Sequence, residues 1–142
     1  MQKVKFNYAD GSFVYNKKAA LKDFVEQLFR LEGKELESIN YVFCSDSYLI
    51  EINRSFLNHD DYTDTITFDL SESIDAPIIG EIYISTERVK ENANKFNVSF
   101  PLEMLRVVFH GALHLCGYKD KNPKEIKSMR AKEQYYLDLF SK

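Results

Sequence analysis

Tryptophan is absent, and cysteine, proline and histidine are scarce: two, three and three in 142 residues. Cys44 and Cys116 are too few for a disulfide framework and lack the spacing of a metal knuckle, so both read as reduced, partly buried thiols. With three prolines and five glycines, the chain holds no Gly/Ser/Pro-rich linker, and it shows no repeat or low-complexity tract. Residues 1–142 therefore read as one domain. No apolar run exceeds five residues, and Met1-Gln2-Lys3-Val4-Lys5 leads into no apolar segment. That pattern argues against a membrane span and a standard secretion signal, and makes the cytoplasm the expected compartment. Positive charge is not in excess either: the net charge of -3 excludes nucleic-acid binding by bulk charge alone.

What the chain does contain is 44% hydrophobic residues, with 11 Phe and 9 Tyr supplying bulk, so it can bury one sizeable core. Its charge is segregated. Residues 35–81 hold eleven acids against the single base Arg54, a balance of -10, which leaves +7 for the remainder. Lys119 to Lys132 carries six bases and two acids, a local +4 suited to an anionic substrate or to a solvated helix face. The acidic stretch suits a basic partner.

Alternation at Val4–Tyr8 and Phe13–Tyr15, around Asp10-Gly11, predicts a hairpin. From Asn16 the period becomes helical, with Ala20, Phe24, Leu28 and Leu31 on one stripe and Gly33 as the stop. Ile39–Cys44 reads as a strand, and Ser45 or Asp46 caps a second helix holding Leu49, Ile50 and Phe56. Thr65–Phe68 and Gly80–Ser85 read as strands joined by a loop, and Thr86–Phe96 as a polar helix. Ser99 and Pro101 open a longer helix that Gly117 ends, and Asn122-Pro123-Lys124-Glu125 starts a final one running to about Phe140. The expected class is α+β: a small mixed four-stranded sheet covered by about five helices.

The chemistry concentrates in His110-Gly111-Ala112-Leu113-His114-Leu115-Cys116-Gly117-Tyr118-Lys119-Asp120. Histidines four apart lie one above the other on a helix face, so His110 and His114 can aim two imidazole nitrogens at one point. Chance alone gives some pair among three histidines this spacing in about 4% of such chains, and Gly117 and Asp120 at useful offsets make accident rarer still. Gly117 tolerates the left-handed backbone that ends a helix, and Asp120 then supplies a third ligand. Two imidazoles and a carboxylate suit Zn²⁺ with a fourth position open, the mark of a catalytic site rather than a closed structural one. The frame matches that of the metzincin proteases, but Gly111 stands where their general-base Glu would be. Peptidase chemistry loses its proton acceptor, whereas a cation that acidifies water and polarises a phosphoryl oxygen leaves phosphodiester hydrolysis open.

His110 to Tyr118 resembles the signature H-G-x-L-H-L-x-G-Y of the YbeY family of bacterial metal-dependent endoribonucleases. The resemblance extends to Asn53, Phe56 and Thr63-Asp64-Thr65-Ile66-Thr67-Phe68, similar to the family's T-D-V-L-S-F strand, and to Gly80-Glu81-Ile82. It covers about residues 45–120 and implies a single-strand-preferring endoribonuclease of ribosomal RNA maturation, with one Zn²⁺ at His110, His114 and Asp120 as ligands and catalytic residues. Lys119, Lys121 and Lys124 flank the third ligand and are expected to hold the RNA backbone. Two departures stand out. Asp120 occupies the place of a third His in the family, and Leu57 fills the place of an Arg, for which Arg54 is the expected substitute. Tyr118 is expected to pack the helix end, and His59 to sit exposed in an acidic loop. Two rival readings are an assembly factor with a structural metal and a metallopeptidase drawing its base from elsewhere.

Overall fold

The computed structural model describes residues 2–57 and 63–142; the reading of His59, and the side chains of Phe56 and Leu57, lie outside the described residues. Four strands form one sheet in the order β1-β2-β4-β3. They are β1 (Val4–Tyr8), β2 (Leu36–Cys44), β3 (Thr65–Asp69) and β4 (Ile78–Ser85). β1, β2 and β4 run parallel and β3 pairs antiparallel with β4. The helices are α1 (Lys18–Leu31), α2 (Asp46–Leu57), α3 (Thr86–Lys95), α4 (Phe100–Leu115) and α5 (Pro123–Phe140). The α+β class and the mixed four-stranded sheet are as the sequence predicts.

The N-terminal hairpin is not formed. Phe13–Tyr15 is no strand, and β1 pairs in parallel with β2 after crossing over through α1. Parallel neighbours need such a crossover, whereas a hairpin needs only a tight turn. Asp-Gly serves a different purpose here. The Asp10 carboxylate accepts from the Ser45 N–H at 2.7 Å and the Ser45 Oγ–H at 2.6 Å, and a Cβ on Gly11 would lie 2.7 Å from the Cys44 backbone. The turn thus seats the chain across the end of β2, and Phe13 drops into the core against Phe43.

α1 is also rotated relative to its predicted stripe. Leu21, Phe24, Val25, Leu28 and Phe29 are buried, while Ala20 and Leu31 are exposed. Facing Val25 and Phe29 inward removes more apolar area from water than facing Ala20 would.

α4 is the central element. Met104, Val107, Val108, Phe109, Ala112 and Leu113 are all buried, and the Tyr41 hydroxyl, also buried, donates to the Val108 carbonyl at 2.8 Å. A Cβ at Gly111 would come within 2.7 Å of the Ile82 side chain, so glycine lets α4 lie close on β4. Its start is capped as expected, with Ser99 Oγ accepting from the Leu102 N–H at 3.3 Å. A smaller apolar cluster of Cys44, Leu49 and Ile66 joins α2 to the sheet. Both cysteines are buried free thiols.

Candidate metal centre

The end of α4 builds the site. After Leu115, the Gly117 N–H bonds the His114 carbonyl at 3.0 Å and the Tyr118 N–H bonds the Leu113 carbonyl at 3.1 Å. This is a Schellman closure, and Gly117 accordingly takes φ +108°. The chain turns back and brings Asp120 over the helix face that carries His110 and His114. Asp120 Oδ2 stands 3.4 Å from His110 Nε2 and 3.3 Å from His114 Nε2, and one ligand atom from each residue lies within 4.8 Å of the others.

Both imidazoles are braced from behind. His110 Nδ1 is 2.6 Å from Glu133 Oε2, and His114 Nδ1 is 2.9 Å from the Tyr118 carbonyl. A carbonyl only accepts, so His114 Nδ1 carries its proton. Burial by itself would raise the Glu133 carboxyl, but hydrogen bonds from His110 and Arg106 outweigh it and hold the group below the ordinary range. Glu133 therefore accepts as a carboxylate, and His110 Nδ1 is a donor as well. In the neutral imidazoles the Nε2 atoms then bear lone pairs, and both face a carboxylate oxygen.

Two imidazole nitrogens and a carboxylate oxygen that converge on one point form an arrangement a cation satisfies. The spacing agrees. Bonds of about 2.0–2.1 Å to a tetrahedral centre put its ligands about 3.3–3.4 Å apart, as the Asp120 oxygen is from each imidazole. The donor set of two nitrogens and one oxygen is one that first-row divalent ions, Zn²⁺ among them, accept.

Behind the ligands lie two polar clusters. Glu133, 1% exposed, also accepts from Arg106 Nη1 at 2.8 Å, and Arg106 donates through Nε to buried Glu103 at 3.0 Å. On the other side the Tyr118 hydroxyl donates to Glu32 Oε1 at 2.9 Å, and Glu32 also takes the Tyr136 hydroxyl and Lys132 Nζ. Tyr118 thus packs the helix end, as expected.

The ligands open onto a cavity of about 590 Å³ bordered by Asn53 of α2, by Asp64, Thr65 and Thr67 at β3, and by His110, His114 and Asp120. Asp64 is a site residue that motif spacing alone does not reveal. Burial pushes its carboxyl up, against the opposing pull of His110 and Arg106. Glu133 escapes sequence reading altogether, since it sits on α5 in an ordinary helical pattern. Asp64 has a signal, its place within the Thr63–Phe68 resemblance.

Arg54 is not brought into this cavity. It pairs with Glu51 at 3.2 Å and borders a separate depression with Asp46, Glu87 and Arg88, while its neighbour Asn53 faces the site. Lys119, Lys121 and Lys124 are exposed around the turn that carries Asp120.

The family model described as Endoribonuclease YbeY matches residues 7–141. A protein of Christiangramia forsetii named Endoribonuclease YbeY is 43% identical over 141 residues, 99% of this chain and 97% of that one. Its namesake in Flavobacterium psychrophilum is 46% identical over 137 residues, 96% of each. A solution structure of a Thermotoga maritima protein matches at TM-score 0.66 and 33% identity, covering 95% of this chain and 88% of that one. A matching family model over nearly the whole length, around a histidine pair and a carboxylate that meet at one point, places this chain in the YbeY endoribonuclease family.

Proposed function

We propose that this protein is a zinc-dependent endoribonuclease that cuts single-stranded RNA at the His110, His114 and Asp120 centre, with ribosomal RNA as its substrate. The observation that carries this reading is the pair of imidazole Nε2 atoms that meet the Asp120 carboxylate at 3.3–3.4 Å and open onto a cavity, with no fourth ligating side chain joining them among the described residues. A zinc ion held there would lower the pKa of water and polarise a phosphoryl oxygen. Around it, Glu133 and the Tyr118 carbonyl fix the two imidazole orientations, and Asp64 on the same cavity is the carboxyl that would give its proton to the departing oxygen as the P–O bond breaks. Gly111 leaves the protease base position empty of a carboxylate, which favours RNA over peptide. Ribosomal RNA, with ribosomal proteins meeting the acidic segment, comes from the family resemblance, and such work belongs in the cytoplasm. Among the described helices none is long and apolar enough to cross a membrane.

The test offers the zinc-loaded protein single-stranded RNA, duplex RNA and an unstructured peptide. We expect cleavage of single-stranded RNA that chelation abolishes. His114→Ala should lose cleavage and zinc while keeping its circular dichroism spectrum. Asp64→Asn should keep zinc and lose about 100-fold or more in kcat. Peptide turnover without RNA turnover would overturn the reading, and melting of His114→Ala would make the metal structural.

A further inference from the structure

The described lining of the main cavity includes Asp64, Asp69 and Asp120 but no Lys or Arg. An anionic backbone entering it meets carboxylates, so a resident dication alone must offset both them and the phosphates. Cationic help has to come from the border of the cavity. Arg54 faces another depression.

A second cavity, of about 270 Å³, lies between α4 and α5 and shares Asp64, His110 and Asp120 with the first. Two guanidinium groups border it, Arg106 and Arg130. Arg106 is committed, held by Glu103 and by Glu133. Arg130 is not: its described ion pair is a loose one, Nη1 to Glu133 Oε1 at 3.7 Å, and its side chain is 54% exposed. Glu133 meets Arg106 at 2.8 Å and His110 at 2.6 Å, whereas Arg130 at 3.7 Å stands beyond hydrogen-bond distance of it. A half-exposed guanidinium fork beside two metal ligands is suited to a tetrahedral oxyanion, which it can grip through two N–H groups. The volume is below the ~300 Å³ at which small-molecule pockets begin, so it takes one group of a substrate rather than a whole ligand.

We propose that the cavity between α4 and α5 is an anion subsite of the metal centre, and that Arg130 there contacts an RNA phosphate next to the one being cut. The identity of the anion as RNA phosphate rests on the nuclease reading; the subsite itself does not. Zinc-loaded wild type and Arg130→Gln are compared for cleavage of single-stranded RNA over a range of salt, for binding of inorganic phosphate by calorimetry, and for zinc affinity by chelator competition. Arg130→Gln should raise KM for RNA about 10-fold, with kcat within about 2-fold of wild type, since one good bidentate contact is worth about a factor of ten. The salt dependence of KM should flatten by about one ion, phosphate binding should weaken in proportion, and zinc affinity should hold. Arg130→Lys should fall between the two, and Lys90→Gln on α3 should behave as wild type. Unchanged KM and unchanged phosphate binding in Arg130→Gln would overturn the subsite, as would loss of zinc affinity in that variant. If wild type cleaves no RNA yet binds phosphate through Arg130, the nuclease reading falls and the subsite stands. If wild type cleaves RNA and Arg130→Gln does so identically, the subsite alone falls.

Discussion

At the scale of single residues, the legible part of the site is the part that is local in sequence. His110, His114, Gly117 and Asp120 fall within eleven residues, and helical periodicity plus one glycine stop suffices to bring them together. Glu133 and Glu32 act through contacts 23 and 86 residues distant, on His110 and Tyr118 respectively, and nothing in their own neighbourhoods marks them. Arg54 shows the limit from the other direction. It lies next to Asn53 in sequence, but successive helical residues point about 100° apart, so one faces the cavity and the other faces away. The bracing of His110 has a direct test. Glu133→Gln keeps the volume but lets the amide offer an N–H where the imidazole needs an acceptor, and it strips Arg106 of a counter-charge. Zinc affinity should fall about 10–100-fold. Isothermal titration with zinc reads it, and an unchanged affinity would remove Glu133 from the support of the site.

At the scale of elements, capping was readable and pairing was not. Ser99 and Asn122 both cap as their residue types predict, the Asn122 side chain accepting from the Glu125 N–H at 2.8 Å, and α5 ends at Phe140 as expected. The Asp10-Gly11 turn misleads because local turn chemistry says nothing about which distant strand completes the sheet, and β1 finds β2 across an entire helix. α1 misleads for a related reason: a helix with apolar residues on more than one stripe turns toward whichever face the sheet can bury. The element that matters most to the site is the α4 terminus. With φ at +108°, Gly117 adopts a backbone that an L side chain resists, although a Cβ there would meet nothing within 4 Å. Gly117→Ala should therefore cost about 1–3 kcal/mol from strain alone and weaken zinc binding by shifting Asp120. Thermal melts with and without zinc check both parts. A variant with the wild-type melting temperature would show that the turn does not require this geometry.

At the scale of the whole molecule, the site is assembled from four elements and one turn: α2 contributes Asn53, β3 its threonines with Asp64 just before them, α4 the histidines, the turn after α4 Asp120, and α5 the brace. The antiparallel β3 at the sheet edge matters because it brings Asp64 alongside α4. The class of fold was evident from the order of strands and helices; the sheet order was not, since a strand's neighbours are chosen by packing across the core. One long-range tie has a pH signature. Burial would raise the Glu32 carboxyl, but donation from Tyr136, Tyr118 and Lys132 outweighs it and lowers the group below 4.5. A depressed folded pKa means that the ionised group stabilises the protein above about pH 4.5, and that this contribution fades as pH falls through the native value. The melting temperature of Glu32→Gln should thus lie below that of wild type at pH 6–7, and the gap should narrow as the carboxylate becomes protonated in acid. A gap that stays constant with pH would exclude ionisation as its source.

The two imidazoles are steadied by acceptors of different kinds, one a carboxylate on a side chain and the other a main-chain oxygen. Selection, or a protein engineer, can retune the first ligand by exchanging a single amino acid on α5. No exchange at position 118 deletes the second, which yields only when the path of the backbone changes. One half of the clamp is therefore adjustable by point mutation, and the other is inherited with the shape of the bend.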